Sequence, residues 1–144
     1  HHYRKALIAV TYVMENCTTG EIIGYFSLAN DRISITDFKD KTEFNRFRRH
    51  RFVNEKRLRS YPAVKLCRLG IEQSMRGKNV GSFLLNFIKS YFLDDNKTGC
   101  RFITVDAYIN AVSFYERNDF QHLKSHDEDL STRLLFFDLS DIDN

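Results

Sequence analysis

Apolar and polar residues follow one another along the chain in segments of two kinds. Short runs rich in β-branched, aromatic and other apolar residues predict β-strands. These runs span residues 5–15, 21–30, 63–71, 100–107, 120–125 and 132–140. The first two flank the turn-like sequence NCTTG and therefore predict a β-hairpin.

Three further segments carry apolar residues at helical spacing. The stripe at positions 80, 84, 87, 88 and 91 predicts a helix over residues 79–92. A shorter amphipathic helix is predicted over 37–49, where Phe44 and Phe47 lie three positions apart, and another over 109–119. The order of these elements predicts a mixed α/β (α+β) fold, with residues 1–144 forming a single domain.

The composition limits the classes of protein to which the chain can belong. Hydrophobic residues make up 42% of the sequence, enough for one packed core, and no apolar run approaches the roughly 18–20 residues that span a bilayer. No secretory signal is visible, and Cys17, Cys67 and Cys100 form no CxxC pair. We therefore expect a cytoplasmic protein with reduced thiols and no membrane contact. The five histidines form no ligand cluster, so no metal is expected.

The sequence RGKNVG joins the predicted strand that ends at Ile71 to the predicted helix that begins at Asn79. Backbone N–H groups in the first turn of a helix have no partner within the helix, and the helix dipole places positive charge behind them. Glycines let an anion approach closely, and Arg76 and Lys78 add charge. The loop is therefore a candidate pyrophosphate site, although short glycine-containing loops are common. Its spacing matches neither the P-loop nor the dinucleotide-binding motif.

The same loop resembles the acetyl-CoA loop of the GNAT acyltransferase superfamily. That family carries an (Arg/Gln)-x-x-Gly-x-(Gly/Ala) motif between a strand and the following helix. Arg76, Asn79 and Gly81 occupy the three positions here. Asn79 replaces the usual glycine, and asparagine tolerates left-handed backbone angles better than most residues do.

A second match lies downstream, in VDAYINAVSFYERNDF. The family commonly has Ala-x-x-(Phe/Leu)-Tyr-x-x-x-Gly-Phe there, and Ala111, Phe114, Tyr115 and Phe120 fit this pattern, with Asp119 in place of glycine. The resemblance implies a GNAT-like fold, with a mixed, mainly antiparallel central sheet flanked by helices. It also implies that the family's initial strand and helices are absent from this sequence, which would begin at the second strand.

The resemblance implies an enzyme that moves an acetyl group from acetyl-CoA directly to a primary amine. The end of the strand would bind the pantetheine arm, through Leu69, Gly70 and Ile71. The loop and the first helical turn would bind the pyrophosphate, through Arg76, Gly77, Lys78, Asn79, Val80, Gly81 and Ser82. Tyr115 would protonate the leaving thiolate, a role that suits a phenol of pKa about 10. Without the resemblance, Tyr115 would be interpreted as a core aromatic residue.

The acceptor amine must also lose a proton during the reaction. Glu72 directly follows the strand and is the best single candidate for this base, acting directly or through water. The alternative is that Glu72 caps the loop or faces solvent. Asp106 is a weaker candidate for the same role.

The segment 38–60 is strongly basic. It holds nine Lys/Arg and three Asp/Glu, with phenylalanines interleaved among the arginines in NRFRRHRF. The overall layout resembles the GNAT toxins of toxin–antitoxin pairs, which acetylate aminoacyl-tRNA. The resemblance implies that residues 39–59 contact RNA through Arg46, Arg48, Arg49 and Arg51, and that an antitoxin is a partner. A homodimer is a further expectation.

Two alternatives stay open. In the first, the basic helix is a solvated face that does not bind RNA. Its phenylalanines pack on the sheet, and the acceptor is a small amine or a peptide N-terminus. In the other, the chain is a non-catalytic GNAT-like module that binds RNA or a protein through the basic segment. The departures from the family pattern at Asn79 and Asp119, together with the missing initial elements, are the reasons for considering this second alternative.

Overall fold

The computed structural model describes residues 9–53, 57–94, 99–123 and 131–143. They form six strands and three α-helices: β1 (Ala9–Glu15), β2 (Ile22–Ser34), α1 (Lys41–Arg51), β3 (Ser60–Ile71), α2 (Val80–Leu93), β4 (Phe102–Tyr108), α3 (Val112–Arg117), β5 (Gln121–His122) and β6 (Thr132–Asp138). Short 3₁₀ turns precede α1, α2 and α3 and follow β6. Within these described residues, no helix is both long and apolar enough to cross a membrane.

All six strands belong to one sheet, in the order β1-β2-β3-β4-β6-β5. The central pair β3 and β4 is parallel, and every other neighbouring pair is antiparallel. The hairpin predicted for the first two strands forms as β1 and β2. The expectation of a mixed, mainly antiparallel sheet with flanking helices is therefore confirmed.

Two apolar clusters cover the two faces of this sheet. On one face, Leu84, Leu85 and Ile88 of α2 pack against alternate residues of β3 and β4. On the other face, Phe44 and Phe47 of α1 are buried in a separate cluster. The two helices therefore lie on opposite faces, as the alternation of side chains along a strand requires.

The burial of Phe44 and Phe47 decides the role of these two phenylalanines in the basic segment. Their rings contact Phe38, and the Phe47 ring also lies 5.4 Å from the centroids of Phe102 and Phe136. Rings committed to the core cannot stack on nucleotide bases. The phenylalanines of α1 therefore pack on the sheet, and the charged residues around them form the solvated surface.

The ends of several elements differ from the prediction, two of them clearly. α1 begins at Lys41 and not at residue 37, because residues 35–37 form a 3₁₀ turn and Asp40 caps the helix by accepting a 2.9 Å hydrogen bond from the N–H of Glu43. The strand predicted at 120–125 is described only at residues 121–122, and its last two residues lie outside the described part of the chain. The same holds for residues 5–8 of the predicted first strand.

A buried carboxylate ties α1 to the sheet. Asp138 at the end of β6 is 3% exposed and accepts hydrogen bonds from Arg101, at 2.6 and 3.2 Å, and from Arg51 of α1, at 3.2 Å. Burial alone would raise the pKa of the Asp138 carboxyl, but hydrogen bonds from Arg101 and Ser140 outweigh burial and lower that pKa. The carboxylate therefore stabilises the folded chain in its charged form.

Asp138→Asn should lower the free energy of unfolding by about 3 kcal/mol at neutral pH, because both arginines lose a buried counter-charge. A carboxyl whose pKa is lowered by folding adds stability above its unfolded pKa of about 3.9, and this stability is lost as the pH falls through the folded value. The variant should thus show a flatter stability profile in acid. Urea unfolding from pH 7 to pH 2.5 measures both effects.

The matched control is Asp141→Asn, which removes an exposed carboxylate three residues away. Its stability should stay within about 0.5 kcal/mol of the original chain at neutral pH. Equal losses for the two variants, or an unchanged acid profile in Asp138→Asn, would contradict the assignment of Asp138 as the anchor.

Candidate functional site

The two central strands of the sheet separate before they end. The parallel pairing of β3 with β4 stops at Leu66 and Val105. β3 nevertheless continues to Ile71 along β2, and β4 continues to Tyr108 along β6. Within the described strands no ladder pair joins them beyond this point, so the backbone of residues 67–71 borders an opening. Backbone N–H and C=O groups at such an edge need a hydrogen-bonding partner, which water or an extended ligand can supply.

The loop after β3 gives the start of α2 an unusual backbone. Gly77 and Asn79 adopt left-handed angles, with φ of 79° and 61°. The N–H of Phe83 donates to the carbonyl of Asn79 at 3.0 Å and closes the first helical turn. The N–H groups of residues 80–82 precede this bond, so the helix itself offers them no acceptor. With the helix dipole behind them, they form a set of donors suited to an anion.

A cavity of about 430 Å³ connects the strand opening to the start of α2. Ten of the twelve residues predicted for the site line it, namely Leu69, Gly70, Ile71, Arg76, Gly77, Asn79, Val80, Gly81, Ser82 and Tyr115. The cavity therefore brings together the strand end, the loop and the helix that carries the predicted acid. Lys78 and Glu72 are not among the lining residues.

Four lining residues were not predicted: Met75, Ala111, Phe114 and Arg117. Ala111 and Phe114 belong to the second family motif, so a signal for them was present in the sequence. Arg117 lies three positions after Phe114 on α3, and this helical spacing was the only available hint for it. Nothing in the sequence indicated Met75.

α2 and α3 approach each other closely at the cavity wall. A Cβ atom at Gly81 would lie 3.0 Å from Cζ and 3.1 Å from Cε1 of the Phe114 ring. Any larger side chain at this position would push Phe114 and the neighbouring Tyr115. This contact gives a physical reason for a small residue at the last position of the loop motif.

Tyr115 is almost fully buried on α3. Its side chain is 6% exposed, and its ring packs edge-on against Phe114 and Phe120, with centroids 5.1 and 5.4 Å away. Burial raises the pKa of Tyr115 to about 12. A phenol in this environment stays protonated at any physiological pH. Tyr115 can therefore donate a proton to a basic atom that enters the cavity.

Glu72 lies outside the cavity and is exposed. Its carboxylate accepts hydrogen bonds from the hydroxyl and, at 2.7 Å, from the backbone N–H of Ser74. These bonds lower the pKa of Glu72, the hydroxyl contributing most. Glu72 thus caps the 3₁₀ turn of residues 73–75. This is the alternative role that the sequence analysis gave for it. A lowered pKa makes its carboxylate a weaker base.

A second cavity, of about 480 Å³, lies on the other face of the sheet. Lys65 on β3 and Asp106 on β4 form an ion pair there, with 2.7 Å between Nζ and Oδ2, and Cys67 and Tyr108 lie beside it. These residues alternate along their strands with the residues that pack against α2, so they point to the face covered by α1. The diverging part of β3 therefore borders a cavity on each face.

The family model of the acetyltransferase (GNAT) domain matches residues 49–135. Among curated proteins, none matches the sequence. Solved structures share the fold. AtaT complexed with acetyl-methionyl-tRNAfMet is 20% identical with a TM-score of 0.75, over 99% of this chain and 78% of that one.

Two further structures have the same architecture. A tyrosine-to-phenylalanine variant of KacT is 21% identical, with a TM-score of 0.76, over 99% of this chain and 78% of that chain. AtaTR bound with AcCoA is 20% identical, with a TM-score of 0.72, over 99% of this chain and 77% of that chain. At these identities the likeness establishes the fold, while the match of the domain model covers more than half of the sequence.

Proposed function

The chain belongs to the GNAT acetyltransferase family, and we propose that it transfers an acetyl group from acetyl-CoA to a primary amine. One observation carries the proposal. A single cavity holds an anion-binding helix start, an unpaired strand edge and a protonated phenol. A CoA thioester offers a matching sequence of groups, because its pyrophosphate, its amide-containing pantetheine arm and its sulfur follow one another along one extended molecule.

Each part of acetyl-CoA has a binding element under this proposal. The N–H groups of residues 80–82 and the guanidinium of Arg76 bind the pyrophosphate. The backbone of residues 67–71 hydrogen-bonds the two amides of pantetheine, as a neighbouring strand would. The thioester then reaches Tyr115, which is the most buried of the polar residues that line the cavity. AtaTR, a relative of the same fold, has been solved bound with AcCoA.

The reaction is a direct transfer. The uncharged nitrogen of the acceptor attacks the thioester carbonyl, a C–N bond forms, and the C–S bond breaks. Tyr115 gives its proton to the departing sulfur and is reprotonated from solvent. The nitrogen loses one proton to a base. Two carboxylates are candidates for this base: Asp106, which lines the second cavity in an ion pair with Lys65, and Glu72, which lines neither cavity and accepts hydrogen bonds from Ser74.

Tyr115→Phe should lower kcat about 100-fold, within the range that a general acid contributes, and leave the Kd for acetyl-CoA unchanged. Because burial raises the pKa of Tyr115 to about 12, the wild-type rate should not fall between pH 7 and pH 10 through loss of this proton. The rate should instead rise with pH as the acceptor amine loses its proton. Steady-state kinetics over this pH range measures both outcomes.

Tyr12→Phe is the matched control, since Tyr12 lines neither of the two cavities. It should keep the wild-type kcat. An alkaline fall in rate below pH 10 that disappears in Tyr115→Phe would show that the phenol is not the buried acid described here.

Arg76→Glu should weaken acetyl-CoA binding at least tenfold, because it places a carboxylate where a charge-assisted hydrogen bond to the pyrophosphate is expected. Lys78→Glu makes the same change of charge two residues away, outside the cavity lining, and should have a smaller effect. Isothermal titration measures both constants. S-acetylpantetheine lacks the pyrophosphate, so its affinity should not respond to Arg76→Glu, and equal responses for the two ligands would remove Arg76 from the pyrophosphate site.

Aminoacyl-tRNA is the second candidate for the acceptor. A cleft on α1 and the following connector is lined by Thr42, Asn45, Arg48, Arg49 and Arg57, and its basic character suits phosphate. AtaT, which shares the fold, has been solved with acetyl-methionyl-tRNAfMet. We extend the proposal to a toxin-like enzyme that acts in the cytoplasm and has an antitoxin partner and a homodimeric state.

The four arginines predicted to contact RNA differ in whether their guanidinium groups are already bonded within the protein. Arg48 donates to the backbone carbonyls of Arg57 and Leu58 and to the side chain of Asn45. Arg51 is committed to its ion pair with Asp138. The guanidinium groups of Arg46 and Arg49 remain exposed, so these two arginines are the stronger candidates for RNA contact.

Arg46→Glu and Arg49→Glu together should weaken tRNA binding and reduce its dependence on salt concentration, since each phosphate contact contributes about one unit to the slope. The rate with a small primary amine should not change. Arg32→Glu is the matched control, because Arg32 is exposed on β2 outside the basic segment. Filter binding between 50 and 300 mM salt tests the difference, and equal losses for Arg32→Glu and the double variant would mean that the basic segment has no special role.

A further inference from the structure

Asn118 connects the two helices that line the first cavity. It lies at the end of α3 and is 9% exposed. Its side-chain amide donates to Oγ of Ser82 on α2, at 3.2 Å, and to the carbonyl of Phe114 on α3, at 2.9 Å. Both protons of the amide are therefore used, one on each helix.

The backbone of Asn118 is held from the same side. Nζ of Lys89 on α2 donates to the Asn118 carbonyl at 2.5 Å, and it also lies 4.0 Å from the centroid of the Phe137 ring. Lys89 is 5% exposed, so this ammonium makes its contacts inside the protein. Ser82 and Lys89 are seven residues apart and share one face of α2. Ser82 and Lys89, about two turns apart on α2, thus both hydrogen-bond residue 118.

α3 depends on these contacts because it has only six residues, from Val112 to Arg117. A helix of this length is not stable on its own, and tertiary contacts must hold it. The chain then reverses at Asp119, with φ of 72°, and the N–H of Phe120 returns to the carbonyl of Tyr115 at 3.0 Å. The contacts of Asn118 with α2 therefore add to the core packing of Tyr115 in fixing its position relative to the start of α2.

The same contact orients the hydroxyl of Ser82. Because Oγ of Ser82 accepts a hydrogen from Asn118, its own proton points away from Asn118. Ser82 lines the cavity next to the donors at the start of α2. Its hydroxyl is then a further donor for an anion bound there.

We propose that Asn118 is a positioning residue for acetyl transfer, which orients the Ser82 hydroxyl toward the bound pyrophosphate and holds the Tyr115 helix against α2. The inference rests on the proposed function and adds to it. Asn118 itself does not line the cavity, so it acts through Ser82 and the helix of Tyr115. Its two effects are separable, since one acts on cofactor affinity through Ser82 and the other acts on turnover through Tyr115.

The test replaces Asn118 by Asp, which has nearly the same shape but no amide protons. The new carboxylate repels the Phe114 carbonyl and accepts a hydrogen bond from the Ser82 hydroxyl, so this proton turns away from the cavity. We expect kcat to fall about tenfold and the Kd for acetyl-CoA to rise about threefold to tenfold, the range for loss of a buried hydrogen bond. Asn86→Asp adds the same charge at an exposed position of α2 and is the matched control.

A second test, in the Ser82→Ala variant, separates a positioning role of Asn118 from a merely structural one. In Ser82→Ala there is no hydroxyl to reorient, so adding Asn118→Asp should not raise the Kd for acetyl-CoA further, while kcat should still fall about tenfold. An additional rise in Kd in the double variant, or an unchanged kcat in Asn118→Asp at temperatures well below its unfolding transition, would overturn the proposal.

A third measurement does not depend on catalysis. Hydrogen exchange of the backbone amides of residues 114–120 should become faster in Asn118→Asp than in the original chain and in Asn86→Asp. If the original chain neither binds nor turns over acetyl-CoA, the proposed function fails whatever the exchange result. Unchanged exchange in residues 114–120 overturns the positioning role even if the enzyme is active.

Discussion

The separation of β3 from β4 after Leu66 is the constraint on which the rest of the site depends. A sheet normally closes such an opening, because unpaired backbone groups inside a protein are costly. Here β3 continues to Ile71 paired with β2, and β4 continues to Tyr108 paired with β6, so both strands stay extended after they separate. The opening between them places the unpaired backbone edge of β3 between two cavities on opposite faces of the sheet.

The same region contains two left-handed residues other than glycine. Asn79 precedes α2 and Asp119 follows α3, with φ of 61° and 72°. This conformation costs about 1–2 kcal/mol for most residues, and Asn and Asp adopt it most readily because their short polar side chains can bond locally. The departures from the family motif at these positions therefore preserve the backbone that the motif needs. For this reason these two departures are not an argument for a non-catalytic module.

How much could be predicted depended on how local each signal was. The strand, loop and helix around RGKNVG, and Tyr115 on its short helix, are encoded in contiguous stretches, and the structure brings them to one cavity. The ion pair of Arg51 with the buried Asp138 could not be predicted, because the two residues lie 87 positions apart and no sequence periodicity links them. The contact of Asn118 with Ser82, 36 residues apart, was invisible for the same reason. The contact of Glu72 with Ser74 is local, and capping the loop was already one of the two roles that the sequence offered for Glu72.

The anchoring of α1 also fixes how the two substrates would approach the enzyme. Phe44 and Phe47 bind α1 to the face of the sheet that carries Lys65 and Asp106, while α2 covers the opposite face. On the proposed function, acetyl-CoA enters along α2 and the amine enters from the face of α1. An acceptor joined to a polyanion would then meet the exposed arginines of α1 on the same side as its reacting amine. Under the same proposal, acetyl-CoA and the acceptor would not compete for positive charge, because Arg76 lines the cavity beside α2 while Arg46 and Arg49 lie on α1, on the opposite face of the sheet.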